Sequence, residues 1–161
     1  MIADDGVRSL KDIEMFFLQV LGMALSDLMK MALEGLDRVL EDKRDKSRYD
    51  LIRADDRTIE TVLGQPVTFS RRYYEDLEEG GYVYLLDQAI DLEPRTRISP
   101  LLRELAIHAG ISGPSYRVAA ESLARVMGGT VMSHEGVRQQ VLKAGDIAEA
   151  LEEDLINKAD G

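Results

Sequence analysis

Apolar residues recur at steps of three and four between residues 9 and 46, which predicts one long N-terminal helix. Ser9 is a suitable N-cap and no proline interrupts the run, although Gly22 or Gly35 can break it. An apolar helix face must be buried, so this helix packs either on its own domain or against another chain. The main apolar face comprises Leu10, Ile13, Phe17, Val20, Leu21, Ala24, Leu28, Met31, Leu36 and Leu40.

The middle of the chain changes to a period of two, which is typical of strands. Residues 57–74 form two extended runs around a Gly-Gln-Pro turn and predict a β-hairpin. A third strand or a helix is expected over residues 82–90, because two strands alone are marginally stable. The charged run at residues 41–50 is interpreted as the solvated end of the first helix, and residues 91–100 as a linker.

Three short helices are predicted in the C-terminal part of the chain. The first opens at Ser99-Pro100, with serine as cap and proline at the first helical position. The second spans Ser115 to Met127 and is stopped by two glycines, and Ser133 caps the third. A final acidic and helical segment follows at residues 146–156. The residues predicted to face inward in the first two helices are Leu101, Leu102, Leu105, Ala106, Ala109, Val118, Ala119, Leu123, Val126 and Met127.

The second and third of these helices match the helix-turn-helix pattern, whose second helix enters the major groove of DNA. Arginine can bond to guanine, glutamine to adenine and glutamate to cytosine, and backbone N–H groups at a serine cap suit a phosphate. Three short amphipathic helices also occur in many folds, and the connection GGTVMS is longer than usual, so ordinary helix packing stays open. The candidate DNA-binding residues are His134, Glu135, Arg138 and Gln139 for bases, and Arg117, Arg125 and Lys143 for phosphates.

Charge is unevenly distributed along the chain. The 161 residues include 30 acids and 20 Lys and Arg, a net charge of −10, which argues against non-specific nucleic-acid binding by the whole chain. Between Arg95 and Lys143, however, seven basic and three acidic side chains give +4, so the remainder carries −14. A basic segment within an acidic chain is the expected footprint of a nucleic-acid site. The alternative is that these charges only cover exposed helix faces.

The composition gives little support to other kinds of site. There is no cysteine, and His108 and His134 lie 26 positions apart with no motif between them, so no metal and no cofactor are predicted. No isolated carboxylate pair, phosphate loop or nucleophile motif indicates a catalytic residue. The N-terminus is acidic where a secretory signal would be basic, and no 18-residue stretch is free of charge. We therefore predict a cytoplasmic protein without a membrane span.

The stretch RRYY, Arg71 to Tyr74, mixes basic and aromatic side chains on a predicted strand. Such residues can hold a phosphate backbone or stack on a base. The favoured interpretation is that they pack on a sheet face and pair with the acids that follow, Glu75, Asp76, Glu78 and Glu79.

Several ordered motifs resemble the N-terminal half of the ISLre-type insertion-sequence transposases of bacteria. The resemblance covers about residues 30–145, which makes it more specific than the helix-turn-helix pattern alone. The motifs are RDKSRY at 44–49, a T-x-x-T-x-x-G strand at Thr58, Thr61 and Gly64, RRYY at 71–74, YVYLLD at 82–87, ISP at 98–100, SYRVAAESL at 115–123 and SHEGVRQQV at 133–141.

The resemblance implies a DNA-binding front half that recognises the terminal repeats of the element. In that family a ribonuclease-H-like catalytic domain follows, with three acids that hold two divalent metals. This chain stops at Gly161, and its closing NKADG resembles the family's EADG strand, which would make Asp160 a first catalytic acid without its partners. We therefore expect a transposase truncated before its catalytic domain, which by itself neither cuts nor joins DNA.

The sequence thus predicts an α+β fold with a long N-terminal helix, a small antiparallel sheet and a C-terminal three-helix helix-turn-helix. The expected units are residues 1–50, 51–94, 95–145 and an acidic tail, 146–161. The expected partner is double-stranded DNA of the element ends. One alternative is a non-catalytic, repressor-like interaction module that forms a homodimer through the N-terminal helix. Two others are an enzyme completed by a second polypeptide and a remnant without function.

Overall fold

The computed structural model describes residues 9–159 and has an α+β fold. The predicted long N-terminal helix and small antiparallel sheet are confirmed, and several helices follow them. The elements in chain order are α1 (Leu10–Lys43), β1 (Tyr49–Glu60), β2 (Pro66–Asp76), β3 (Tyr82–Val83), α2 (Leu85–Ala89), α3 (Pro100–Ser112), α4 (Tyr116–Val126) and α5 (His134–Ala159).

The sheet has the order β1-β2-β3 and is antiparallel throughout. Strand β1 pairs with β2 from Tyr49 opposite Asp76 to Glu60 opposite Pro66, so the hairpin begins well before the predicted residue 57. The residues between 49 and 56 are mostly exposed on both faces, and they therefore lack the alternation that signals a strand. The interpretation of residues 41–50 as the end of the helix is wrong beyond Lys43.

The third strand and the helix expected between residues 82 and 90 both exist. Strand β3 has two residues and pairs only with Tyr74 and Glu75 of β2, and α2 begins directly after it. Strand β3 covers only the end of one edge of β2, and the rest of that edge faces α1. There the backbone N–H groups of Ser70 and Arg72 donate to the carboxylates of Glu34 and Asp37 at 3.1 and 3.2 Å. Helix α1 therefore protects an edge that would otherwise be open to another strand.

Helix α1 is unbroken over 34 residues, a length of about 51 Å. Gly22 does not break it and instead gives room to the turn between β1 and β2, since a Cβ there would lie 2.3 Å from the carbonyl oxygen of Leu63. The buried positions of α1 are Gly22, Ser26, Leu33 and Asp37, which are mostly small or polar. The predicted main apolar face is instead largely exposed.

Two apolar cores support the fold. One lies between α1, the sheet and α2, and the other among α3, α4 and α5. In the second core Leu102, Ala106, Ala119 and Leu123 are buried as predicted, whereas Leu101, Leu105, Val118 and Val126 are exposed, because each short helix buries only a narrow stripe. The first core comprises Leu33, Ile59, Val67, Phe69, Leu86 and Leu92, and the second comprises Leu102, Ala106, Ala119, Leu123, Val131, Met132 and Val137.

The helical part is attached to the sheet at two places. The turn between β1 and β2 meets the start of the α4–α5 connection, where a Cβ on Gly64 would lie 2.2 Å from the carbonyl oxygen of Met127. Gly64 also has a φ of +78°, so two constraints favour glycine there. The predicted linker, residues 91–100, bonds to the end of β1: Glu60 N–H donates to Arg97 at 2.7 Å, and Ser99 N–H donates to Glu60 at 2.9 Å.

The third predicted helix and the acidic segment after it form one helix, α5. Gly145 interrupts nothing, because a mid-helix glycine costs only about 1 kcal/mol relative to alanine and no neighbouring atom lies within 4 Å of the position of its Cβ. The boundary expected between residues 145 and 146 therefore falls within one helix.

Candidate nucleic-acid interface

Helices α3, α4 and α5 pack on one another around the second core. The connection between α4 and α5 is long because it fills part of this core: Val131 and Met132 are buried against the three helices. Its length is therefore compatible with close packing of α4 and α5.

The first turn of α5 is capped by Ser133, whose hydroxyl accepts the backbone N–H of Gly136 at 3.1 Å. Val137 is fully buried and Gln140 nearly so, which fixes the inward face of the helix. The opposite face is exposed and carries the four predicted base-reading residues, His134, Glu135, Arg138 and Gln139. Cap and core together thus present one polar surface at the start of α5.

The polar groups of this surface are linked to one another. The carboxylate of Glu135 accepts from the guanidinium of Arg138 and from the side-chain amide of Gln139, each at 2.9 Å. The bonds from Gln139 and Arg138 lower the pKa of Glu135, which stays ionised at neutral pH. A ligand that engages Arg138 or Gln139 must therefore compete with Glu135.

The three predicted phosphate-binding residues are also exposed. Arg117 and Arg125 lie on α4 and Lys143 on α5. Within the same segment Arg103 donates to Glu93 of the preceding linker at 2.6 Å. This bond, and to a smaller extent the charge of Lys143, lower the pKa of Glu93. Part of the positive charge of the segment is therefore neutralised by the linker.

The favoured interpretation predicts that the RRYY stretch packs on the sheet and pairs with acids. It does so, but the acids are not the expected ones. Arg71 pairs with Asp87 of α2 and stacks on Tyr84, 3.5 Å from the ring centre, and Arg72 pairs with Asp37 and Glu41 of α1. These acids are distant in sequence, so no local motif reveals them. The acids expected to pair with it, Asp76, Glu78 and Glu79, bind Arg48 instead.

A cavity of about 1290 Å³ lies between the sheet, α2 and the linker. Arg57 and Arg71 share the carboxylate of Asp87, and Arg57 also donates to the carbonyl oxygens of Glu93 and Thr96 at 2.7 and 3.0 Å. Burial, with the charge of Arg57, lowers the pKa of Arg71 to about 10. The charged lining comprises five acids and four arginines, which makes it a poor phosphate site: Asp56, Glu60, Asp87, Asp91, Glu93, Arg57, Arg71, Arg95 and Arg97.

Between residues 9 and 159 no group of three or more His, Asp or Glu side chains is placed to hold a metal ion. Asp160, the residue that resembles a first catalytic acid, lies outside the described residues. Within the same range one helix, α1, is long and apolar enough to cross a membrane by length and composition alone. The absence of a membrane span therefore stays a prediction.

Comparison with known proteins assigns the chain to a family. A model of the uncharacterised protein family UPF0236 matches residues 2–159, nearly the whole chain. The chain belongs to UPF0236. No solved structure matches it.

The similar curated proteins come from Caldanaerobacter subterraneus subsp. tengcongensis. UPF0236 protein TTE2489 is 32% identical over 104 residues, 62% of this chain and 22% of that protein. UPF0236 protein TTE0610/TTE0881/TTE1053/TTE2432 is 34% identical over 98 residues, 58% of this chain and 21% of that protein. A third is 37% identical over 73 residues, and its name joins eleven locus designations. The chain thus spans about a fifth of the length of the first two.

Proposed function

We propose that this UPF0236 chain is the DNA-binding part of an ISLre-type transposase and that it recognises the terminal repeats of its element. The observation that carries the proposal is the exposed polar surface at the start of α5, within the segment of net charge +4. Base-contacting residues must be accessible on a helix that is itself held firmly, and the buried Val137 beside the exposed Arg138 meets both conditions.

Each residue of the proposed site has a role that its chemistry suits. Helices α4 and α5 act as the helix-turn-helix pair, with α5 in the major groove. Arg138 bonds to guanine and Gln139 to adenine, while Glu135 accepts from cytosine or orients the other two, and His134 contacts the neighbouring base edge. The N-terminal N–H groups of α5, with Arg117, Arg125 and Lys143, bind phosphates and set the register on the duplex.

The comparisons add support that is independent of the site. One relative's name joins eleven locus designations of one genome, and another's joins four. One protein present at many loci is what an element that copies itself within a genome leaves behind. The catalytic steps of transposition are proposed for the part of the relatives outside the matched segment, because residues 9–159 contain no cluster of acids placed to hold a metal.

The test is fluorescence anisotropy with labelled duplexes from the two ends of the element that carries the gene, and with shuffled duplexes of the same composition. Each titration is repeated over a series of salt concentrations, because phosphate contacts give a characteristic salt slope. We expect tighter binding to the element ends. Equal affinity for end and shuffled duplexes would overturn the proposal.

Arg138→Ala and Arg117→Ala form a matched pair, since each removes one exposed arginine. Arg138→Ala is expected to weaken binding to the element ends by about 5- to 150-fold, the cost of one bidentate base contact, and to leave shuffled DNA nearly unchanged. Arg117→Ala is expected to weaken both by a similar factor and to reduce the salt slope by about one. Equal losses on both duplexes for Arg138→Ala would contradict the assigned base contact.

A further inference from the structure

Helix α1 has an unusual distribution of side chains between its two faces. The fully buried positions of the face that packs on its own sheet are Gly22, Ser26, Leu33 and Asp37, and Met29 and Leu40 are partly buried there. The other face is apolar and exposed. A helix in a protein of this size normally buries its apolar face and leaves polar residues outside.

The exposed residues follow a seven-residue repeat. Leu10, Phe17, Ala24 and Met31 are seven residues apart, and so are Leu21 and Leu28, which fall between them at steps of four and three. This is the spacing of a coiled-coil seam. We call these six residues the α1 seam. The large members are well exposed, with 69% for Leu10 and Met31, 65% for Phe17, 60% for Leu28 and 55% for Leu21.

The area of the seam is sufficient for a stable interface. At about 200 Å² for a large side chain, the exposed parts of its five large residues amount to about 600 Å² on each chain. Two such surfaces give about 1,200 Å², the lower limit of a standard protein interface, before the flanking Ile13 and Val20 are added. A patch of about 600 Å² already equals the largest that typical monomers expose.

We propose that the occupant of the α1 seam is a second copy of this chain, bound with its α1 antiparallel. The same spacing also includes Glu14, between Leu10 and Phe17, and Gly35 and Arg38, after Met31. In an antiparallel pair Glu14 faces Arg38 of the other copy, and Phe17 faces Gly35. A parallel pair places Glu14 against Glu14 and Arg38 against Arg38, where like charges repel.

The sizes of the side chains agree with the charges. In the same antiparallel register Ala24 faces Leu28, and Leu21 faces Met31. Each small residue then lies opposite a large one, so the layers fill without voids. A parallel pair puts Ala24 against Ala24 and Gly35 against Gly35, which leaves two empty layers. The arrangement is also two-fold symmetric, as a closed homodimer requires.

A bilayer is a poorer occupant of this surface. Insertion of α1 would place the charges of Asp27 and Lys30 in hydrocarbon, near the centre of the helix, where charged side chains are strongly disfavoured. It would also separate Asp37 from Arg72 and Gly22 from its contact with the backbone of β1–β2. The dimer leaves all of these contacts in place. Formation of this dimer does not depend on the proposed DNA binding.

The first experiment measures the mass of the full chain by sedimentation equilibrium over a range of concentrations. We expect a dimer for the wild type and a monomer for the double variant Leu21→Glu, Leu28→Glu. Met23→Glu is the matched control, because Met23 is 58% exposed on α1 but lies outside the seam, and it is expected to remain dimeric. Circular dichroism of the variants checks that each is folded. A monomeric wild type, or equal dissociation in the control, would overturn the proposal.

The second experiment determines the direction of the helices. The chain has no cysteine, so single-cysteine variants give unambiguous disulfides. We expect Glu14→Cys mixed with Arg38→Cys to cross-link to each other, as identified by mass. Glu14→Cys alone is expected to form no cross-link, and efficient self-linking of it would rule out the antiparallel pair. Flotation with phosphatidylcholine vesicles is the remaining arm: binding by the wild type that the Leu21→Glu, Leu28→Glu variant loses would identify a membrane as the occupant.

Discussion

The sheet region (α1, β1–β3 and α2) and the three-helix cluster (α3–α5) both contain several arginines. The guanidinium groups of the two regions have different surroundings. In the sheet region Arg57 is 7% exposed and shares Asp87 with Arg71, while Arg72 pairs with the buried Asp37. In the cluster Arg117, Arg125 and Arg138 are exposed. The core of the cluster is formed by apolar residues, with the buried polar residues Ser99 at the start of α3 and Gln140 in α5.

This difference separates two uses of the same side chain. A guanidinium that is buried against a carboxylate is occupied, and removal of either partner leaves an uncompensated charge. An exposed guanidinium costs little to maintain and can be reached by a ligand, which at Arg138 must displace only the exposed Glu135. The number of arginines in a segment is therefore less informative than the carboxylates that the fold brings to them.

The largest expected effect follows from removal of Asp37. Its carboxylate accepts the backbone N–H of Arg72 at 3.2 Å and pairs with the same residue's guanidinium. Asp37→Ala removes the acceptor of the backbone N–H and leaves the guanidinium with Glu41 as its remaining partner, and it is expected to lower the free energy of unfolding by about 3 kcal/mol. Urea denaturation followed by circular dichroism measures the change.

Two further variants sharpen this result. Asp37→Asn keeps an acceptor for the backbone N–H and is expected to lose less stability than Asp37→Ala. Asp42→Ala removes an exposed acid from the end of α1 and is expected to change stability by no more than about 0.5 kcal/mol. A loss for Asp42→Ala as large as that for Asp37→Ala would show that burial of the ion pair is not the cause.

The second prediction concerns pH. The guanidinium of Arg48 lowers the pKa of Asp76, with help from the backbone N–H groups of Glu79 and Glu78. A carboxyl with a lowered folded pKa stabilises the fold above its unfolded pKa, about 3.9, and that contribution is lost as the pH falls through the folded value. The urea concentration at the unfolding midpoint of the wild type should therefore decrease as the pH is lowered below about 4. Asp76→Asn should show a shallower fall over the same range, and identical pH profiles would contradict the role of Asp76.

The smallest effect is expected in the cluster. The bond from Arg138 to Glu135 joins two exposed side chains three residues apart on one helix, and such pairs contribute about 0.3–0.5 kcal/mol. Arg138→Ala should therefore leave the unfolding free energy almost unchanged while it weakens binding to the element ends. A loss of stability comparable to that of Asp37→Ala would mean that Arg138 has a structural role.

Much of the secondary structure is predictable because its signals are local. Ser9, Ser99, Ser115 and Ser133 each accept a backbone N–H of the helix that follows, as a cap does. The start of β1 at Tyr49 is not predictable from periodicity, because that part of the strand is exposed and pairs mainly through its backbone. The continuity of α5 through Gly145 is also not predictable, because a single glycine is the local signal there and a glycine can either end a helix or lie within it.

The candidate site is predictable where its signals are local, whereas pairings between distant residues are not predictable. The exposed positions at the start of α5 follow from the cap at Ser133 and the apolar Val137, so the sequence alone indicates the polar surface. The bond between Glu135 and its two neighbours is also local, at three and four residues along the helix. The ion pairs of Asp37 and Asp87 are not predictable from the sequence, because a single acid in a helix does not indicate which distant arginine lies beside it.

The sequence by itself determined the α+β class, the long first helix, the hairpin and the three C-terminal helices, because periodicity, caps and turns act over a few residues. The tertiary structure alone decided which face of α1 is buried. Periodicity shows that a helix has an apolar face. Gly22 and Asp37 nevertheless lie on the buried face, because Gly22 allows close contact with the backbone of the β1–β2 turn and Asp37 pairs with Arg72. That choice left the α1 seam exposed, and it depends on pairings between residues far apart in the chain.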